Sequence, residues 1–300
     1  MVENILSVGI DIGTSTTQLV FSRIIIENTA SFASVPRISI IDKKVIYKSG
    51  IYFTPLISQT EIDGSKVKDI VEREYQKAGI KPSDLSTGVA IITGETARKH
   101  NASQVMETLS GLAGDFVVAT AGPDLEAIIA GKGAGAHTLS KNTGKTVANL
   151  DIGGGTTNIA VFKNGEVIDT CCLDIGGRLI RLQKNTLKVK YLAPKLERLS
   201  AGIGLDIALN KEVTMQQIRG ITERMAVIIE EVLGIGDRSP ELLYMLTTQD
   251  LRRNYKIDCI SFSGGIADCI YGTIEGGMFQ FGDIGIILGE SIRKSAIFDK

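Results

Sequence analysis

Apolar residues alternate with polar ones at about residues 5–12 and again at about 16–26, which predicts two strands separated by a short run of glycine and hydroxyl side chains. The stretch RISIIDKKVIYKSGIYFTPL (37–56) continues in period-two segments. GSKVKDIVEREYQKAG then changes to helical spacing, with Val67, Ile70, Val71 and Tyr75 on one side and Gly79 placed to stop the helix. TGVAIITG (87–94) reads as a buried strand feeding a helix over 95–114, and DFVVATAG (115–122) as a further strand. PDLEAIIAGKGAGA follows as a helix, with Pro123 suited to its first position. HTLSKNTGKT (137–146) is polar and contains glycine, so it predicts a connection, with the boundary between two halves at 140/141.

The second half opens with strand, loop and strand, and then the hairpin signal Asn164-Gly165. In VTMQQIRGITERMAVIIEEVLG, Val213, Ile218, Ile221, Met225, Ile228 and Val232 line one side of a helix. YKIDCISFSGGIA predicts a strand ending in a glycine turn, and GDIGIILGESIRKS a last helix. Strands and helices alternate in two halves, so the expected class is α/β with an internal duplication.

The duplication is clearest at the loops. Aligned on Asp11 and Asp151, DIGTSTTQ and DIGGGTTN match at Asp, Ile, Gly, Thr and Thr, with Gln18 against Asn158. Each loop lies between two strand-like runs, so each forms the tip of a hairpin. Small residues let backbone N–H groups converge on a bulky anion. Thr14, Ser15, Thr16, Thr156 and Thr157 add hydroxyl donors with little bulk. An aspartate would repel phosphate, yet it suits a magnesium ion that keeps much of its water. A pair of ordinary glycine-rich hairpins would not need an aspartate before each. SFSGGIA (261–267) ends a strand in Gly264-Gly265, where the backbone could lie flat against a nucleoside.

Composition narrows the classes. With 33 basic and 34 acidic residues and no tryptophan, the 300-residue chain has neither a global field nor a stacking platform for nucleic acid. No run approaches the ~18 apolar residues of a membrane span. The start, MVENILSVGID, reads as no signal peptide, so a soluble, cytoplasmic-type protein is expected. None of the four cysteines lies in a CxxC, which argues against a zinc or disulfide framework, and Cys171 and Cys172 are expected to pack unpaired on opposite faces of one strand. His100 is expected at the surface of its helix. NTGKT fails as a phosphate loop because Leu139 stands where glycine is required, and GKGAGA fails as a dinucleotide fingerprint at its third glycine. The further DIG segments at 174 and 283 lack the threonine pair and are expected to start helices.

In these motifs the chain resembles the actin, sugar kinase and Hsp70 ATPase superfamily. DIGTSTTQ and DIGGGTTN look like its two phosphate motifs and SGGIA its adenosine motif. EAIIAGKGAGA and GDIGIILGESIR look like its connecting helices, and DIGGRLI (174–180) like the turn and helix after the second loop. The resemblance implies duplicated RNase H-like domains, 1–140 and 141–300, with ATP and Mg²⁺ in a cleft between them. Asp11 and Asp151 would hold the metal, Gly13 to Thr17 and Gly153 to Thr157 (Gly154 and Gly155 included) the phosphates, and Gly264, Gly265 and Ile266 the adenosine. The superfamily's hydrolytic members often carry a water-orienting acid at the start of the first connecting helix. Here Gly122 precedes Pro123, the nearest acids are Asp124 and Glu126, and Glu126 is carried as the candidate catalytic residue beside Asp11 and Asp151. Slow or partner-dependent hydrolysis is expected.

Residues 92–136, together with SVGIDIGTSTTQLVFSR at the start, are similar to the reactivating factors of ethanolamine ammonia-lyase, the EutA family. That resemblance implies an ATP-dependent chaperone that releases damaged cobalamin from the lyase, in the cytoplasm and in association with a bacterial microcompartment. It implies ethanolamine ammonia-lyase and ATP or ADP as partners, no nucleic acid and no membrane, and leaves homo-oligomerisation open. The family usually exceeds 300 residues, so a C-terminal region is expected to be missing. A small-molecule kinase and an actin- or FtsA-like filament-forming ATPase remain as alternatives.

Overall fold

The computed structural model describes residues 2–13, 16–30, 37–58, 61–93, 101–110, 116–120, 122–183, 186–272 and 277–298. The chain divides into two compact units, Met1–Gly122 and Pro123–Lys300.

In the first unit, β1 (Val2–Ile12) and β2 (Thr16–Asn28) form a long antiparallel hairpin, and β3 (Ile38–Lys48) adds to the outer edge of β2. The short strands β4 (Tyr52–Phe53), β5 (Leu56–Ser58) and β6 (Glu61–Ile62) lead to α1 (Gly64–Ala78). Strand β7 (Thr87–Ile92) runs parallel to β1, and after α2 (Ala102–Ser110), β8 (Phe116–Thr120) runs parallel to β7. The sheet order is therefore β3-β2-β1-β7-β8. Asp63 caps α1 by accepting from the Lys66 N–H at 3.1 Å, and Gly79 ends the helix in the left-handed region at φ 67°. The helix buries Val67, Ile70, Val71 and Tyr75 against Val8, Ile10, Leu19 and Phe21, as its spacing predicts. Of the helix expected over 95–114, the described part is α2; His100 lies outside the described residues, as does most of TGETARK.

Two features of this unit sit away from its loop. Glu74 on α1 is fully buried and accepts from Tyr47 at 2.7 Å, from Tyr52, and from Lys77 at 2.7 Å, tying β3 and β4 to the helix. Burial pushes its carboxyl up, but the three donors outweigh this and hold it below the usual glutamate value. By contrast β3 is a bare edge, with Ile38 and Ile40 62% and 64% exposed.

In the second unit, α3 (Pro123–Gly133) and α4 (Ala136–Thr143) precede β9 (Val147–Ile152), β10 (Thr157–Lys163) and β11 (Glu166–Leu173). A two-stranded sheet, β12 (Ile180–Leu182) with β13 (Val189–Leu192), comes before α5 (Pro194–Gly202), α6 (Met215–Val232) and α7 (Pro240–Met245). Strand β14 (Cys259–Ser263) then joins β9 in parallel, giving the order β11-β10-β9-β14, and α8 (Ala267–Tyr271) and α9 (Gly285–Arg293) follow. Helices cover both faces of this sheet. Ala127 and Ala136 pack with Val147, Ala160 and Phe162 on one side, and Ile218, Ile221, Met225 and Ile287 with Leu150, Ile152 and Ile159 on the other. A Cβ on Gly131 would lie 2.6 Å from the Phe162 ring, so that glycine serves close helix–sheet packing.

Three expectations differ from this structure. The units part at 122/123 instead of 140/141, because α3 packs on β9, β10 and β11. The segment expected as a polar connection forms α4, which buries Ala136 and Ser140 and leaves Thr138, Lys141, Asn142 and Thr143 exposed. DIGGRLI runs through a turn into β12 and starts no helix, whereas Asp283 does precede α9. The Asn164-Gly165 turn is as predicted, with both residues at positive φ, 54° and 82°. Cys171 and Cys172 are both buried at adjacent positions of β11.

Candidate functional site

The two loops are hairpin tips of the same register. Asp11 stands opposite Gln18 and Ile12 opposite Thr17, and Asp151 stands opposite Asn158 and Ile152 opposite Thr157. Each tip closes with the same backbone bond, Gly13 N–H to the Thr16 carbonyl at 2.8 Å and Gly153 N–H to the Thr156 carbonyl at 2.9 Å. In both units a strand parallel to the first hairpin strand then folds over the tip: Thr93 N–H reaches the Ile12 carbonyl and Ile266 N–H the Ile152 carbonyl, each at 3.1 Å. The internal duplication is thus present down to single hydrogen bonds. Thr14 and Ser15 lie outside the described residues.

The second loop leaves backbone donors unused. Among the described residues, the N–H groups of Gly154, Gly155 and Thr156 meet no protein acceptor. Behind them, the N–H groups of Gly177 and Arg178 bond the carbonyls of Gly153 and Gly154 at 3.0 and 2.7 Å. A Cβ on Gly176 would come within 2.5 Å of the Gly154 carbonyl carbon. The DIGG turn is therefore the loop's support, a role that the missing threonine pair concealed. Gly264, at φ 83°, turns so tightly over Ile152 that a Cβ would meet its carbonyl oxygen at 2.6 Å, which brings Gly264, Gly265 and Ile266 beside the same loop.

The two aspartates differ in setting. Asp11 is exposed and accepts from the Thr93 hydroxyl at 3.2 Å. Asp151 is half-buried and accepts from the Ser263 hydroxyl at 2.8 Å. Burial holds the Asp151 carboxyl above the usual aspartate range, against the pull of that hydrogen bond. Opposite it, the Asn158 side-chain Oδ1 is buried with no partner among the described residues. A buried amide oxygen left unpaired costs about 1–3 kcal/mol unless water or a ligand satisfies it. N–H groups without a protein acceptor, a carboxylate and an orphaned acceptor fit phosphate with a hydrated divalent cation. Among the described residues no three His, Cys, Asp or Glu side chains gather into a metal cage, so such a cation would draw most of its ligands from water and phosphate.

The remaining predicted residues take definite places. Thr17 and Thr157 point inward as struts, the first bonded to Thr54 at 3.1 Å and the second to the Ile175 carbonyl at 2.8 Å. Glu126 is half-buried in the first turn of α3, and Asp124 is tied to Thr170 of β11 at 2.8 Å. Sequence reasoning missed Thr93 and Ser263 as neighbours of the aspartates and noted Asn158 only as the counterpart of Gln18. Hydroxyls at the ends of apolar strands were the available signal.

A model of the family described as ethanolamine utilisation protein EutA matches residues 3–300. The chain belongs to this EutA family. It is 39% identical over 291 residues to the ethanolamine ammonia-lyase reactivase EutA of Escherichia coli (strain K12), a match covering 96% of this chain and 61% of that protein. The Salmonella typhimurium (strain LT2) reactivase of the same name is 39% identical over 292 residues, covering 97% and 62%. This EutA-family chain therefore spans about three fifths of the length of these curated relatives. The PPX-GPPA enzyme of Aquifex aeolicus shares the fold, with a TM-score of 0.52 at 15% identity over 99% of this chain and 94% of that one. The duplicated α/β architecture expected from the sequence is the fold of this EutA-family chain. Among the described residues, no helix is long and apolar enough to cross a membrane.

Proposed function

We propose that this chain binds ATP with Mg²⁺ through its two hairpin loops and that, within a EutA protein, nucleotide turnover drives the release of damaged cobalamin from ethanolamine ammonia-lyase. The observation that carries the nucleotide reading is the pair of matched tips, each with an aspartate at the same register and a hydroxyl donating to it. The names of the curated relatives support the lyase as partner and a reactivating role. A cytoplasmic setting beside a microcompartment belongs to the same reading.

In this reading Asp11 and Asp151 hold the cation through its water, and Asn158 accepts from that water. The N–H groups of Gly153 to Thr157, with Gly13 to Thr17 as their counterpart, hold phosphate oxygens, and Gly264 to Ile266 seat the adenosine. Bound magnesium neutralises phosphate charge and so favours phosphoryl chemistry. Glu126, in the first turn of α3, is the acid that orients water in this reading, and turnover is slow without the lyase. ATP and ADP must favour different conformations, since a ligand shifts an equilibrium only by its differential affinity.

Calorimetric titration with ATP and ADP, with and without Mg²⁺, tests the first half of this proposal; magnesium-sensitive binding is expected, and none would overturn it. Recovery of cobalamin-inactivated lyase on adding the chain, ATP and adenosylcobalamin tests the second half. A metabolite phosphorylated in the absence of the lyase would favour the kinase alternative, and ATP-dependent sedimentation the filament one.

A further inference from the structure

The sheet face that carries Asp151 also carries three polar side chains that the loops do not use. Asn149 lies two residues earlier on β9, and Ser261 and Ser263 stand directly opposite Asn149 and Asp151 on β14. They form one chain of hydrogen bonds: Ser261 donates to Asn149 Oδ1 at 3.0 Å, Asn149 Nδ2 donates to Ser263 at 3.0 Å, and Ser263 donates to Asp151 Oδ1 at 2.8 Å.

The direction of every link is forced. A carboxylate only accepts, so the Ser263 hydroxyl must point its hydrogen at Asp151. Its acceptor side then faces Asn149, whose amide must present Nδ2, and the Asn149 oxygen is left for Ser261. Asn149 is fully buried, so no water competes for its amide. The chain engages Oδ1 of Asp151 and makes no use of Oδ2.

Stapling β9 to β14 does not explain these residues. The strands already pair along Cys259–Ser263, and apolar side chains would pack there without needing partners. The first unit makes the same point, because its fold is duplicated and this chain is not. The positions equivalent to Asn149, Ser261 and Ser263 are Gly9, Val89 and Ile91, whose side chains can form no such chain, and the Thr93 hydroxyl reaches Asp11 at 3.2 Å.

We infer that Ser263, oriented by Asn149 and Ser261, is a positioning residue that fixes the Asp151 carboxylate for a divalent cation; this rests on the nucleotide–magnesium reading above. The test is Mn²⁺ binding to the ADP-loaded chain by electron paramagnetic resonance, together with the ratio of ADP affinities with and without metal. Ser263→Ala is expected to weaken Mn²⁺ binding roughly 10–100-fold and to shrink that ratio in parallel. Ser263→Thr, which keeps a hydroxyl on a side chain suited to a strand, restores both. If Ser263→Ala does not fold by circular dichroism, Ser261→Ala serves instead, with a smaller loss expected because it frees the Asn149 amide to turn. Wild-type Mn²⁺ affinity in the folded variant overturns the positioning role and leaves the nucleotide reading intact. A wild-type chain that binds neither nucleotide nor Mn²⁺ removes that reading, and this role with it.

Discussion

The two loop hairpins share their backbone down to the tip bond, yet the chain holds them in different ways. The first tip hangs on side chains: the Thr54 hydroxyl bonds the Gly13 carbonyl at 2.7 Å, and Thr17 braces Thr54. The second is held by main chain. Gly177 and Arg178 bond its carbonyls, Ile284 N–H bonds Gly177 in turn at 3.1 Å, and Arg178 pairs with Asp283 at 3.2 Å at the start of α9. The first hairpin continues into an open sheet edge, while β10 is buried along nearly its whole length. Duplication copied the hairpin and its register, and the surroundings then set how firmly each aspartate is placed.

That contrast can be broken most forcefully at the second loop's support. Gly176→Ala drives a methyl into the Gly154 backbone, where neither side can yield. It should cost about 3 kcal/mol in a thermal melt and abolish magnesium-dependent nucleotide binding. An unchanged melt would mean that the main-chain support is slack. Next in size is Glu74→Gln, which weakens the side-chain latch of the first unit by about 1.5–3 kcal/mol at neutral pH, read by denaturant titration. The sign with pH follows from its depressed carboxyl. The ionised latch stabilises the fold above the ordinary glutamate pKa, and that stability is lost as pH falls through the lower folded value. The wild type should therefore lose this increment in acid, and Glu74→Gln should not.

Smaller effects sharpen the comparison. Asp151→Asn should weaken Mg²⁺·ATP by about tenfold, or 1.4 kcal/mol, and Asp11→Asn by less, because a half-buried charge is screened less than an exposed one. Equal losses in calorimetry would erase the distinction between the aspartates. Thr54→Ala should cost about 1 kcal/mol of stability and loosen only the first loop, as amide exchange at Gly13 would report.

What the sequence disclosed, and what it hid, follows the same physics. The hairpins were legible because period-two alternation and an aspartate-headed run of small residues are local signals, and Asn164-Gly165 needs nothing beyond its own backbone. Helix α6 was legible because Ile218, Ile221, Met225 and Ile228 repeat at helical spacing and face one core. Helix α4 was hidden because only Ala136 and Ser140 mark its buried side, and so short a helix depends on the sheet it covers. The support at Gly176–Arg178 and the Ser261–Asn149–Ser263 chain were hidden because each joins residues far apart in sequence, 112 positions in the case of Ser263 and Asp151. Their trace was nonetheless present, as polar residues at alternate places in VANLDI and CISFS, where an all-apolar strand was the simple expectation.

The bare β3 edge bears on how this protein behaves in a tube. Its exposed isoleucines are interleaved with Lys43, Lys44 and Lys48, also exposed, and two bulges interrupt its pairing with β2. Lysines and bulges keep strand edges of neighbouring molecules apart. The lysines act through charge, which salt screens within about 10 Å at 0.1 M, whereas apolar contact does not weaken with salt. Colloidal stability should therefore be best in dilute buffer and worst in concentrated salt, and light scattering should rise first in preparations held at high ionic strength.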